Sequence, residues 1–235
     1  MDGKPISIPI RKIEPVKDCG ALAMSMFLHS SAARKIAELS HALELSINSL
    51  CALQVGIGWD HAGREFASFP SRNHEGKVIG ITRRYAGGIK RTYPGTHNGL
   101  FYVNEWNEMP GPLLIVEGAT DVAACLSIPI AAIGRPSNTG GFSYLRRMLM
   151  RYRSEVIVVG ERDRKLDRCC AKNCRGCSWC WPGLYGAKSM SEKLYCSIGL
   201  WSKWLLPPAP FKDVRALLIA GELSAWIADL RKIKS

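Results

Sequence analysis

Two apolar runs that break off into carboxylates constrain this chain most: Leu113-Leu-Ile-Val-Glu-Gly118 and Val156-Ile-Val-Val-Gly-Glu161-Arg-Asp163. Short continuous apolar runs are what strands buried on both faces of a parallel sheet require. In an open α/β sheet, ligands gather beyond the carboxyl ends of the strands. Two such strands would deliver Glu117, Glu161 and Asp163 to one place. A hard dication such as Mg²⁺ takes an all-oxygen ligand set of this kind and shares it with phosphate. The pattern points to metal-assisted phosphoryl chemistry on nucleic acid or nucleotides.

The 235 residues, 47% of them hydrophobic, suffice for one large domain or two small ones with a packed core. A formal net charge of +12 predicts a polyanionic partner, nucleic acid being the commonest; a basic protein without one is the alternative. No apolar run approaches the roughly 18 residues of a membrane span, so no membrane partner is expected. Met1-Asp-Gly-Lys-Pro lacks the charged-then-apolar order of a secretion signal, and the apolar stretch 21–28 is too short for one. Nine cysteines without such a signal predict a cytoplasmic, reducing setting, with metal-bound or free thiols rather than disulfides.

The first ten residues read as extended. Between Ser30 and Cys51, Ile36, Leu39, Leu43, Leu45 and Leu50 recur near helical spacing, predicting one or two helices. Strand candidates come next at 56–60, 65–70, 77–85 and 89–93, separated by turn pairs such as Glu75-Gly76 and Gly87-Gly88 that suit antiparallel hairpins. Met109-Pro-Gly-Pro112 marks a boundary, dividing the chain into 1–108 and 109–235. Beyond it the pattern alternates: strand 113–118, helix near 119–127, strand 129–134, helix near 141–152, strand 155–160. A Cys-rich insertion at about 164–184 comes next, then a helix near 185–198, a strand near 203–206 and closing helices. That rhythm implies right-handed crossovers and a parallel sheet.

Val116-Glu117-Gly118 with Asp121, followed by an acid-x-acid pair ending a later strand, resembles the Toprim domain of DNA primases, topoisomerases and related nucleases. Gly134 matches the small residue of that family's second strand, and Phe211-Lys-Asp-Val-Arg-Ala-Leu-Leu218 resembles the Lys-Asp segment closing the domain in primases. The usual pair is Asp-x-Asp; here it is Glu161-Arg162-Asp163, one methylene longer at the first arm. The resemblance implies an α/β fold of about four parallel strands flanked by helices, preceded by a smaller mixed α+β basic subdomain. It also implies roles. Glu117 would be a general acid/base or metal ligand, and Glu161 and Asp163 would hold one or two Mg²⁺ (or Mn²⁺). Gly118 would leave room for substrate, and Asp121, Lys212 and Asp213 would complete the nucleotide-binding surroundings. The alternative for acids after strands is helix capping, Asp121 above all.

From Arg72 to Arg91 lie six basic residues, Arg72, Lys77, Arg83, Arg84, Lys90 and Arg91, against one acid, Glu75. A positive sheet face can track a phosphate backbone without reading sequence. Strand alternation puts Arg83 and Arg84 on opposite faces, so only one can line a given groove. Tyr85, Tyr93 and Trp59 could add stacking surface, although strand aromatics are more often core. Phe69-Pro70, Gly76-Lys-Val-Ile-Gly80, Gly88-Ile-Lys90 and Asn98-Gly-Leu-Phe101 resemble the subdomain preceding Toprim in bacterial-type and phage or mobile-element primases. In those proteins this half forms one wall of the cleft for template and nucleotide. The two resemblances together cover about residues 53–220.

Cys170, Cys174, Cys177 and Cys180, with Cys169 as a substitute, have spacings that let thiolates converge on one structural Zn²⁺. Completion by Cys196 or a His, free thiols, or an iron–sulfur cluster are the alternatives. Arg164, Lys165, Arg168, Lys172 and Arg175 make the insertion a basic flap beside the acids, where Trp179 and Trp181 pack on the knot or stack on a base. No Cys/His zinc module precedes the core, and no Gly-x₄-Gly-Lys-Ser/Thr phosphate loop is present. The expectation is a primase-like nucleotidyltransferase core, a DNA-directed RNA polymerase on single-stranded DNA and nucleotides. It would be recruited by a separate helicase or partner, or belong to a mobile element. A Toprim nuclease and a non-catalytic nucleic-acid-binding protein are the alternatives.

Overall fold

A computed structural model describes residues 14–165, 170, 174 and 177–232. The first ten residues, Cys169, Arg168, Lys172 and Arg175 lie outside the described residues. No described helix is long and apolar enough to cross a membrane.

The chain opens with three helices: α1 (Cys19–Phe27), α2 (Ala32–Leu43) and α3 (Ile47–Ala52). Local capping sets two of their starts. The Asp18 carboxylate accepts from the Ala21 amide at 2.8 Å, and Ser46 Oγ accepts from the Ser49 amide at 3.0 Å. The helix α1 carries no signal in the sequence because its run is apolar all round, with no stripe to mark a period. Its Ala23 and Met26 pack with Phe66 and Ile81 under the first sheet.

That sheet is an antiparallel meander, β1 (Gly56–Trp59), β2 (Glu65–Arg72), β3 (Val78–Arg84) and β4 (Lys90–Thr92), in the order β1-β2-β3-β4. The second half alternates as expected: β5 (Leu113–Glu117), α4 (Ala119–Ser127), β6 (Ala132–Arg135), α5 (Phe142–Leu149), β7 (Val156–Val159), α6 (Pro182–Ile198), β8 (Lys203–Leu205), α7 (Val214–Ile219) and α8 (Leu223–Lys232). Its four strands lie in the order β6-β5-β7-β8, all parallel. Within β5 the period of two divides the core. Leu114 and Val116 join an apolar cluster with α2, α3, α4 and α7, while Leu113 and Ile115 face α5 and α6.

Residues 99–103 stitch the two sheets together. Leu100 exchanges backbone hydrogen bonds with Arg72 of β2 at 2.7 and 2.8 Å, and Phe101 does so with Gly134 of β6 at 2.7 and 2.9 Å. The larger cluster draws on both halves, from Leu50, Ile57 and Phe69 to Val116 and Val122. The boundary near Met109 therefore separates two sheets that share a core. The carboxyl ends of β5 and β7 face the basic edge of the meander across this seam.

Candidate active site

One cleft is lined by Thr82, Arg84, Lys90 and Arg91 from the meander and by Glu117, Gly118, Thr120 and Glu161 from the parallel sheet. Gly118 makes the sharp exit from β5 into α4 with φ 83° and ψ 169°, a conformation a side chain would resist. A methyl group there would stand 3.8 Å from Lys90 Nζ, so the ammonium of β4 lies directly over the Glu117–Gly118 turn.

The alternation rule settles the arginine pair. Arg84 lines the cleft. Arg83 points the other way, its guanidinium 5.4 to 5.6 Å from the ring centres of Phe66, Tyr85 and Tyr93. Tyr85 and Tyr93 are thus taken up by that cage rather than by the cleft, and Trp59 pairs with His29 at 4.8 Å. Arg72 is held by the Gly76 carbonyl at 2.9 Å and by the Gln54 side chain, and Lys77 sits exposed near Cys19; neither lines the cleft.

Glu161 and Asp163 lie near enough to Glu117 to act on its carboxyl, although the three do not gather as tightly as Cys170, Cys174, Cys177 and Cys180 do. The Glu117 carboxyl is pushed up to about 7, first by removal from water and then by Glu161 and Asp163; Arg135 and Lys90 pull it back. Each of the other two acids also has a local partner. Glu161 Oε2 meets Lys212 Nζ at 3.1 Å, and Asp163 Oδ1 accepts from the Gly183 amide at 2.9 Å. Burial works to lower the Lys212 pKa, but Glu161, Asp213 and Asp121 outweigh it and raise it. The Lys90 pKa is lowered, mainly by burial and by Arg84.

Asp121 is buried, and its carboxyl lies well above the usual range through burial and the nearby Asp213. It does not cap its own helix. Asp121 accepts from the Arg215 amide at 3.2 Å and Asp213 accepts from the Ala216 amide at 2.8 Å, so both serve the start of α7. That docking holds Lys212 beside Glu161. Arg162, to which the sequence assigns no role, fixes the same segment: its guanidinium donates to the Pro207 carbonyl at 2.8 and 3.0 Å, and its amide to the Lys212 carbonyl at 2.7 Å.

The insertion is spliced in after Asp163 without displacing α6 from the sheet. That helix starts at Pro182, earlier than the expected 185, because Asp163 caps it across the whole insertion. Trp181, at the local cap position, makes no side-chain cap. A methyl group on Gly183 would stand 2.2 Å from the Glu161 carbonyl oxygen and 2.7 Å from its amide. Gly183→Ala must therefore push α6 off the acid pair. The expected cost is about 3 kcal/mol, a fall of roughly 6–12 °C in Tm, readable in a thermal melt.

The ligand atoms of Cys170, Cys174, Cys177 and Cys180 all lie within 4.8 Å of one another, and no other His, Cys, Asp or Glu set among the described residues does so. Three of the sulfur pairs stand 3.0 to 3.5 Å apart. A zinc tetrahedron with bonds of about 2.3 Å has edges of about 3.8 Å, so small outward shifts accommodate the ion. The Cys180 amide and side chain hold the Cys177 thiol below its usual range, while hydrogen bonds among the thiols raise Cys170 and Cys180. The four cysteines could bind zinc. Trp179 is 66% exposed, and Arg164 lies 5.5 Å over the Trp181 ring.

No protein-family model matches the chain, and no curated protein matches it by sequence. Its fold is similar to that of solved primase cores. The E. coli primase catalytic core shares 20% identity at a TM-score of 0.66, covering 91% of this chain and 78% of that one. A DnaG catalytic core shares 20% identity at 0.64, covering 90% and 77%. A DnaG primase catalytic domain solved bound to ssDNA shares 19% at 0.63, covering 90% and 78%. The chain shares the fold of these primase catalytic cores, as its motifs predict.

Proposed function

We propose that this chain is a primase-like nucleotidyltransferase core that joins nucleotides on a single-stranded DNA template in the cleft between its two sheets. The observation that carries this reading is that Glu117 and Glu161 line the cleft opposite Lys90, Arg84 and Arg91, with Asp163 near enough to act on the Glu117 carboxyl. The oxygen-only chemistry of these carboxylates and the raised Glu117 carboxyl fit a hard dication, Mg²⁺ or Mn²⁺. When bound, the ion would neutralise the triphosphate and stabilise the attacking and leaving oxygens. Lys90 and Arg84, partly withdrawn from water, fix the phosphates. Arg91, exposed on β4, tracks the template backbone. Lys212 holds Glu161 in place through their ion pair. Cys170, Cys174, Cys177 and Cys180 would hold a zinc ion that would organise an insertion too small for a core of its own.

The test is an assay with single-stranded template, nucleotides and Mg²⁺ or Mn²⁺. Short labelled products support the reading, and loss of labelled template instead points to a Toprim nuclease. A second reading, a nucleic-acid-binding protein without turnover, draws on the engagement of Glu161 by Lys212 and of Asp163 by Gly183. Binding without either product would favour it.

The position of Glu117 near 7 also sets a pH dependence. Below the ordinary carboxylate range the group is protonated in both the folded and unfolded states and costs nothing. As pH rises through 7 the unfolded chain has already released its proton while the folded chain resists. Metal-free stability should therefore fall, by at most about 3 kcal/mol, between pH 5 and 8. Denaturant titrations at the two pH values check this: the fall should be absent in Glu117→Gln and reversed by added Mg²⁺.

A further inference from the structure

Five of the six exposed aromatic side chains among the described residues gather along the outer side of α6 and the edge strand β8. They are Trp179, Tyr185, Tyr195, Trp201 and Trp204, between 41% and 78% exposed. Tyr185 and Trp204 share a groove with Lys188 and Glu192, and Tyr195 meets Trp201 at 5.8 Å between ring centres. The strand β8 is the last of its sheet, so this side of the molecule is an open edge. Exposed apolar surface concentrated in this way marks an interaction site.

On α6, Tyr185, Lys188, Glu192 and Tyr195 recur at steps of three, four and three, the seam spacing of a helix that packs against another helix. The seam is symmetric about the buried Met190: the tyrosines stand five residues to either side of it, the lysine and the glutamate two. An antiparallel second copy of α6 therefore sets Tyr185 against Tyr195 of that copy and Lys188 against its Glu192, and the reverse pairs equally. That reciprocity is what a two-fold interface requires. Within one chain the contact between Lys188 and Glu192 is 4.0 Å long and both side chains are more than half exposed, so it binds neither strongly. Each can turn to a partner.

Charge decides which kind of occupant fits. The chain carries +12, yet this seam is neutral, and Lys203 of β8 is already paired with Glu155 at 2.9 Å. A phosphate backbone wants uncompensated cations along its path. A protein interface is instead rich in Trp and Tyr and poor in unpaired charge. At about 200 Å² for a fully exposed ring residue, the five aromatics offer roughly 550 Å² per copy. With the seam residues between them, two copies bury about 1,200 Å², the lower end of a specific interface.

We propose that the chain forms a two-fold dimer through the Tyr185–Tyr195 seam of α6, flanked by Trp201 and Trp204. None of these residues lines the cleft, so the inference is independent of the catalytic reading. Sedimentation of the full chain at low salt should show a dimer at about 100 µM, as suits an interface of this size. Lys188→Glu makes the seam wholly acidic and Glu192→Lys makes it wholly basic, and each alone should weaken association about tenfold or more. An equimolar mixture of the two variants sets an acidic seam against a basic one and should recover the dimer, as should the double variant. Both positions are exposed, and unchanged melts show that the variants are folded. A wild type that stays monomeric, a dimer that either reversal leaves intact, or a mixture that does not associate overturns the proposal. So does a monomer whose tryptophan fluorescence a single-stranded oligonucleotide quenches in the wild type but not in Trp201→Ala, which would give this face to nucleic acid.

Discussion

Asp163→Asn should lower metal-dependent primer synthesis about a thousandfold, equivalent to about 4 kcal/mol of transition-state stabilisation, while leaving the protein folded. Asparagine keeps an oxygen to accept the Gly183 N–H that holds α6, but it no longer offers a carboxylate to a dication. Asp163→Ala removes both functions and should lower Tm as well as turnover. Comparing the two separates the cap from the ligand. Glu161→Gln belongs with the first kind of change, since Glu161 is engaged by Lys212 at 3.1 Å and caps no helix. It should match the loss of turnover with little change in melting. On the proposed function, template binding by the arginines and lysines of the meander should survive all three and weaken with salt. Primer-extension rates, a melt and a salt series of template affinity read out the three quantities. Full turnover in Asp163→Asn would remove the acid pair from the chemistry.

Zinc removal is the second large effect. Cys180 is buried, its carbonyl accepts from the Lys165 amide at 2.8 Å, and the Cys177 carbonyl accepts from the Trp181 amide at 3.0 Å. Trp181 and Pro182 then lead directly into Gly183, whose amide holds Asp163. Losing a zinc held by these cysteines would free the loop at the point where it is tied to the acid pair. Cys180→Ser, or stripping the protein with a chelator, should cost about 3 kcal/mol and lower Tm by roughly 10 °C. Hydrogen exchange at the Gly183 amide should accelerate in the same samples, and elemental analysis of the untreated protein should find one zinc per chain. An unchanged melt in Cys180→Ser would leave the knot as free thiols.

Much of this fold is legible in the sequence because buried parallel strands write themselves as unbroken apolar runs. Leu113–Val116 and Val156–Val159 are such runs, and the acids that end them emerge at one edge of the sheet. The hairpins are legible from their turn pairs. The hidden features depend on contacts between distant residues. Nothing local in the stretch around Cys19–Phe27 carries a helical period, since it is covered on one side by the sheet and buries only Ala23 and Met26. Alternation shows that Arg83 and Arg84 part ways, but only the cage of Phe66, Tyr85 and Tyr93 decides which of them leaves the cleft. Asp163 is legible as an acid after a strand, but not as the cap of a helix about twenty residues later. Arg135 has no signal at all, because a basic residue after a strand reads as solvated until its neighbours are seen to seal it.

The central question is whether a hard dication sits among the carboxylates at the end of β5 and β7. Anomalous diffraction from crystals grown with Mn²⁺ measures this directly. A peak on the order of 2 Å from oxygens of Glu117, Glu161 and Asp163, beside the Lys90 ammonium, is the predicted result. A well-ordered cleft with no peak there at saturating Mn²⁺, and with Glu161 still paired to Lys212, would contradict it.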